Sequence, residues 1–97
     1  MTTLEELTTL LRKNRDVISR EYKAQILGVF GSYARGEQKP GSDIDMLVRF
    51  DQGATLFDLV GLGDFLEELL RLKVDIVSER ALRIEIRDRI LAEVVEV

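Results

Sequence analysis

Cysteine and histidine are both missing from this 97-residue chain. Without cysteine there are no disulfides, no zinc-thiolate sites and no thiol nucleophile. Without histidine, Ser-His-Asp triads, imidazole acid–base catalysis and histidine metal sites fall away together. Nor is there an uncharged apolar run of the roughly 18 residues that a membrane span needs. The start, Met1-Thr2-Thr3-Leu4-Glu5-Glu6, has neither a basic n-region nor an apolar h-region, so no signal peptide is expected. A soluble, cytoplasmic protein is the default. Any chemistry must fall to carboxylates, hydroxyls, Arg, Lys or bound cations.

Excess positive charge is lacking too. The net charge of −4 speaks against tight duplex binding, which draws most of its affinity from Lys and Arg on phosphates. Arg12, Lys13, Arg15, Arg20 and Lys23 gather near the end of the first helical stretch, but Asp16 and Glu21 interrupt them. They read as a solvated face rather than a contact patch for an acidic partner. The hydrophobic share of 45% is enough for one core, and the length fits one domain over residues 1–97. A chain this short buries a smaller share of its surface than a large one does, so a partner or a second copy would add stability.

Hydrophobic spacing supplies the elements. Thr3 to Tyr22 reads as helix with a break near Asn14; Thr3 and Glu6 form a capping box, and Leu4, Leu7, Leu11 and Ile18 share a face. Ile26 to Phe30 is a short apolar run ending at Gly31, a buried strand, and Ser32 to Arg35 opens a single helical turn. Gly36 to Gly41, with the only proline, Pro40, is an exposed loop. Asp43 to Phe50 is the next strand, with Ile44, Met46 and Val48 on one face and Asp43, Asp45 and Leu47 on the other. Thr55 caps a helix running to about Leu72. Gly61 and Gly63 each cost it about 1 kcal/mol relative to Ala, and close packing on the sheet is their expected return. Val74 to Val77 is a third strand. A last helix is expected from about Ala81 to Val95, with Leu82, Ile86, Ile90 and Val94 spaced by four. The sum is an α/β domain with one small sheet.

Three carboxylates then stand out. Asp43 and Asp45 leave the same face of a strand, roughly 6–7 Å apart at the backbone, and Asp75 sits between Val74 and Ile76 on another strand. If those strands are neighbours, three like charges converge, and they raise each other's pKa values unless a cation neutralises them. Mg²⁺ suits the task, being hard and commonly held by one or two carboxylates plus substrate phosphates. Just upstream, Gly31-Ser32 follows a strand and begins a helical turn. Glycine lets the backbone approach a ligand, free N–H groups attract anions, and the Ser32 hydroxyl adds a donor. Arg35 and Lys39 lie close enough in sequence to bring positive charge to phosphates. Taken singly, a Gly-Ser is a turn and an Asp-x-Asp a solvated strand face. It is their order that neither bland reading predicts: strand, Gly-Ser, loop, Asp-Ile-Asp strand, then a strand with a central Asp. A phosphate cradle beside a carboxylate cluster is the layout of two-metal phosphoryl transfer.

Gly31-Ser32-Tyr33-Ala34-Arg35-Gly36, followed by Ser42-Asp43-Ile44-Asp45-Met46-Leu47-Val48, resembles the signature of the polymerase beta-type nucleotidyltransferase superfamily. Ten residues separate Ser32 from Asp43, and Asp75 in Val74-Asp75-Ile76-Val77 fits the third acidic place. More narrowly, the chain is similar to the minimal (MNT-type) nucleotidyltransferases, antitoxin partners of HEPN toxins. The only visible departure is Met46, where Leu is common. The resemblance implies a mixed sheet flanked by helices, with Gly31 and Ser32 holding the triphosphate and Arg35 and Ser42 joining the nucleotide-binding set. It further implies that Asp43 and Asp45 bind two Mg²⁺ ions, with Asp75 completing the catalytic-metal site and helping the acceptor hydroxyl lose its proton. The donor it implies is ATP. The acceptor is a tyrosine of a HEPN-type toxin, AMPylated within a type VII-like toxin–antitoxin pair. A hetero-oligomer or homodimer is expected, with no stable nucleic-acid binding and no membrane.

The alternative is an antitoxin that neutralises its toxin by binding alone, suggested by the small size and the apolar end, Val94, Val95 and Val97. Transfer to a small molecule such as an aminoglycoside would want an added acceptor domain. A templated polymerase would want fingers, thumb and positive charge.

Overall fold

Thr3 opens the first helix from an extended backbone, its Oγ1 accepting the Glu6 N–H at 3.1 Å and donating to Glu6 Oε1 at 3.2 Å. The computed structural model describes residues 3–97; Met1 and Thr2, read above for a leader, lie outside them. Helix α1 runs Leu4–Lys13 and α2 Arg15–Tyr22, and the break falls at Asn14. There the side-chain amide donates to the Leu10 carbonyl at 2.9 Å, the local bond by which Asn competes with a continuing helix. Strand β1 follows at Ala24–Phe30, the single turn α3 at Ser32–Arg35 and β2 at Ile44–Phe50. Next come α4 at Leu56–Leu70, β3 at Val74–Ser78, a 3-10 turn at Glu79–Ala81 and α5 at Ile84–Glu93. A two-residue strand, β4 at Val95–Glu96, ends the run. A reciprocal capping box, Thr55 with Asp58, starts α4, and Arg71 in the left-handed region stops it.

The sheet order is β3-β2-β1-β4, with β1 antiparallel to both β2 and β4 and β2 parallel to β3. It is the mixed sheet flanked by helices that the family resemblance implied. Helices α1, α2 and α4 cover one face, where Leu7, Leu11, Ile18, Ile44, Met46, Val48, Leu62 and Leu66 are sealed from water. Truncating Leu66 to Ala at the centre of this layer is expected to destabilise the fold by about 2–5 kcal/mol, from lost transfer energy and a cavity that closes only in part. Urea denaturation followed by circular dichroism measures it as a lower midpoint.

One irregularity sets the geometry of everything downstream. The β1–β2 register pairs Ile26 with Val48 and then Gly28 with Leu47, so Leu27 is a bulge. An extra residue reverses which side of the sheet later side chains take. Val29 thereby joins the core opposite Met46, while Phe30 pairs with Asp45 on the other face. The unalternating apolar run Ile26 to Phe30 is the sequence trace of that bulge.

Two expectations need correction. The last helix does not reach Val95: it ends at Glu93, and Val95-Glu96 pairs with Val29 and Gly28 along the free edge of β1. Val94, Val95 and Val97 are β-branched and favour an extended backbone, and an unpaired edge is at hand. Gly28 makes the fit possible, since a Cβ there would sit 2.5 Å from Val94 Cγ2 and from the Val95 carbonyl oxygen. Gly61, in turn, makes room for α2 rather than for the sheet, as its absent Cβ would lie 3.0 Å from the Tyr22 ring. Among the described residues no helix is long and apolar enough to cross a membrane.

Candidate active site

Phe30 delivers the chain into Gly31, whose backbone (φ 75°, ψ −152°) lies in a region that only glycine enters cheaply. From there α3 turns, with the Arg35 N–H on the Gly31 carbonyl at 3.1 Å and the Glu37 N–H on the Ser32 carbonyl at 2.9 Å. Because Phe30 is paired with Asp45, a Cβ at Gly31 would run into the Asp45 carboxylate. Backbone and carboxylate are thus as close as glycine allows.

Parallel pairing of β2 with β3 puts Asp75 in register with Asp45. Adjacent strands lie about 4.8 Å apart, so both carboxylates leave the same face as neighbours. The pKa of Asp45 is raised, first because the half-buried group loses water. The Asp75 carboxylate, near enough to share a proton with it, adds to the rise, followed by Asp43 and Glu93. Asp43 stands just ahead of β2, exposed to solvent. Among the described residues no three acidic groups form a ready-made metal cage. The convergence is a close Asp45–Asp75 pair with Asp43 at its margin.

A pH dependence follows. Folding raises the Asp45 pKa, so the folded state holds that proton more tightly than the unfolded one. The metal-free protein should therefore lose stability as pH climbs from the ordinary carboxylate value through the raised one, and adding Mg²⁺ above that window should restore it. Thermal melts in EDTA and in Mg²⁺ across the acidic range check both signs.

A cleft of about 840 Å³ opens beside these groups, lined by Gly31, Ser32, Arg35 and Asp45 on one side and Arg89, Ile90 and Glu93 of α5 on the other. A narrower cavity of about 260 Å³ between α2 and the start of β1 contains none of the predicted site residues. Arg35 faces the cleft but is already engaged: its Nε donates to Glu37 at 2.6 Å and its Nη1 to Glu93. Those two bonds, Glu37 first, raise its pKa. The Ser42 hydroxyl accepts the Lys39 N–H at 2.8 Å while the Ser42 N–H returns to the Lys39 carbonyl at 2.9 Å. Ser42 thereby closes the loop before β2, and neither it nor Lys39 lines the cleft.

Gly31, Ser32, Arg35, Asp45 and Asp75 are thus gathered on one face of the sheet at one end, with Asp43 next to them. Arg89 and Glu93 were not foreseen. Their only sequence trace is a spacing of four on a helix, common to countless solvated pairs.

This donor set suits a hard divalent cation. It is oxygen-only and anionic, Asp45 is desolvated, and the nearest guanidinium, Arg35, is bound to other carboxylates. With two or three acidic side chains and no complete cage, such an ion would rely on substrate phosphates for further ligands.

Comparison with known proteins returns one consistent relationship. The family described as "Nucleotidyltransferase domain" matches residues 11–96. Protein adenylyltransferase MntA of Thermococcus cleftensis is 40% identical over 97 residues, covering 100% of this chain and 98% of its own. A solved structure provisionally named a minimal nucleotidyltransferase superposes with a TM-score of 0.76 at 42% identity, over 94% of this chain and 95% of the other. A toxin–antitoxin crystal structure with AMP-PNP gives a TM-score of 0.69 at 25% identity, over 98% and 72%.

Proposed function

This chain belongs to the nucleotidyltransferase domain family, and from that premise we propose that residues 1–97 act as a minimal, Mg²⁺-dependent protein adenylyltransferase. It moves AMP from ATP onto a tyrosine hydroxyl of a HEPN-type toxin and thereby silences it, as the antitoxin of a type VII-like pair. The observation that carries the reading is the in-register Asp45–Asp75 pair beside the Gly31 backbone. The name of the Thermococcus relative and the AMP-PNP in a related toxin–antitoxin complex support the donor and the kind of acceptor.

In this mechanism the N–H groups at Gly31 and Ser32 and the Ser32 hydroxyl grip the triphosphate, orienting its α-phosphorus toward the sheet. Asp43 and Asp45 would hold the Mg²⁺ ions, with Asp75 as a further ligand, and the ions when bound would supply Lewis-acid neutralisation of the phosphate charge. Asp75, exposed at the sheet edge, accepts the proton of the incoming hydroxyl. The tyrosine oxygen then forms a bond to the α-phosphorus, and the bond from that phosphorus to the bridging oxygen of pyrophosphate breaks. Arg35 reaches the phosphates only by leaving Glu37 or Glu93.

Neutralisation by binding alone draws on the small size and the apolar end, and part of that end is engaged within the chain: Val95 pairs with Val29 and Val97 packs against the core, both half-buried. Incubating the chain with Mg²⁺, labelled ATP and the product of the neighbouring gene tests the choice. Labelling of that product, lost in the Asp43→Asn/Asp45→Asn variant together with neutralisation, is the expected result. Neutralisation that survives the double substitution would favour occlusion instead.

A further inference from the structure

Resting on the nucleotidyltransferase reading, we propose that Arg89 of α5 is the main side-chain cation for the triphosphate, in place of Arg35. The cleft wall carries two guanidinium groups, Arg35 and Arg89. Arg35 belongs to the sequence motif, yet it lies between Glu37 and Glu93 and its charge is matched before any ligand arrives. Arg89 forms no ion pair among the described residues: Glu93, four residues on, is held by Arg35, and Glu85, four residues back, lies against Arg83.

Charge balance makes the difference matter. Asp45 and Glu93 line the cleft, and Asp43 and Asp75 are close enough to act on Asp45. A nucleoside triphosphate brings several more negative charges into that field. Bound Mg²⁺ would neutralise the carboxylate end. The phosphates farthest from it need a cation from the protein, and Arg89 lines the same cleft as Gly31 and Ser32. A guanidinium presents a planar fork of donors that suits phosphate oxygens.

The placement also gives α5 a task. This helix has no fully buried residue, and Ile84, Ile86 and Leu91 stay in contact with solvent. Arg89, Ile90 and Glu93 of this helix line the cleft. A triphosphate bridging Gly31-Ser32 and Arg89 would tie α5 to the sheet.

Binding of AMP-PNP with Mg²⁺, measured by calorimetry on the intact chain, tests the assignment. Arg89→Ala should weaken binding about tenfold or more, the scale of one charge-assisted hydrogen bond. Arg89→Lys should recover part of that loss by keeping the charge. AMP, lacking the outer phosphates, should respond to Arg89→Ala by less than about threefold, and Arg35→Ala should weaken AMP-PNP binding less than Arg89→Ala does. Because Arg89 is exposed and unpaired among the described residues, melting temperatures should match the unsubstituted chain. AMP-PNP affinity within about twofold of the unsubstituted chain in Arg89→Ala, or a larger loss in Arg35→Ala, would overturn the proposal while leaving nucleotidyl transfer intact. No AMP-PNP binding by the unsubstituted chain would overturn both.

Discussion

Replacing Asp45 with Asn is expected to cut nucleotidyl transfer by roughly a thousandfold and, in the absence of metal, to make the fold more stable at neutral pH. The two effects share one cause. Asp45 is half-buried, and the Asp75, Asp43 and Glu93 carboxylates all act on it. An amide of nearly the same shape removes the buried charge and its repulsion. It also removes the anionic oxygen that would hold the ion. Lewis-acid stabilisation contributes several kcal/mol to a transition state, and each 1.36 kcal/mol is tenfold in rate, which sets the scale of the loss. Stability should follow pH with a definite sign. The variant's advantage in melting temperature should be small below the ordinary carboxylate range and should widen as pH rises through the raised Asp45 value. Mg²⁺ should shrink that advantage by stabilising only the unsubstituted chain. Initial rates with labelled ATP, alongside melts in EDTA and Mg²⁺, measure all three effects.

Gly31→Ala is the second large effect, and here stability and activity should fall together. The positive φ of Gly31 belongs to a region that costs other residues about 1–3 kcal/mol. An added methyl would also meet the Asp45 carboxylate, so relief requires moving either the strand end or that carboxylate. For a domain near 100 residues each 1 kcal/mol lowers the melting temperature by about 4–8 °C, so a fall of roughly 5–20 °C is expected. Activity should drop about a hundredfold or more even at temperatures where the variant stays folded, because misplacement by about 1 Å at a reacting centre has that scale. Gly36→Ala makes the control. It too has a positive φ, but a Cβ there would touch nothing within 4 Å, so it should lose stability without a comparable loss of rate.

The contrast between these positions shows what was legible in the sequence. Gly31-Ser32 and Asp43-Ile44-Asp45 could be read because each demands particular residue types at short range. Asp75 stood out between Val74 and Ile76 only through its order after those motifs, since an exposed charge on an edge strand such as β3 also serves to discourage aggregation. The elements carrying them came through for the same reason: Thr3, Asn14 and Thr55 mark boundaries with local chemistry. What stayed hidden depends on distant partners. The bulge at Leu27 exists only relative to β2. The extended end at Val95 exists because β1 has a free edge, while the helical spacing of Leu82, Ile86, Ile90 and Val94 pointed the other way. Arg35 illustrates the limit best, for its place in the motif suggests phosphate while Glu93, 58 residues later, holds it. Glu93 and Arg89 reach the cleft through the placement of α5, which no local pattern encodes.

The direct measurement of nucleotidyl transfer at this site uses two parallel reactions with the acceptor and Mg²⁺, one with ATP labelled at the α-phosphate and one at the γ-phosphate. Label from the α-phosphate should become covalently attached to the acceptor, and label from the γ-phosphate should leave wholly as pyrophosphate. Attachment of the γ-label, or of neither, would contradict the account.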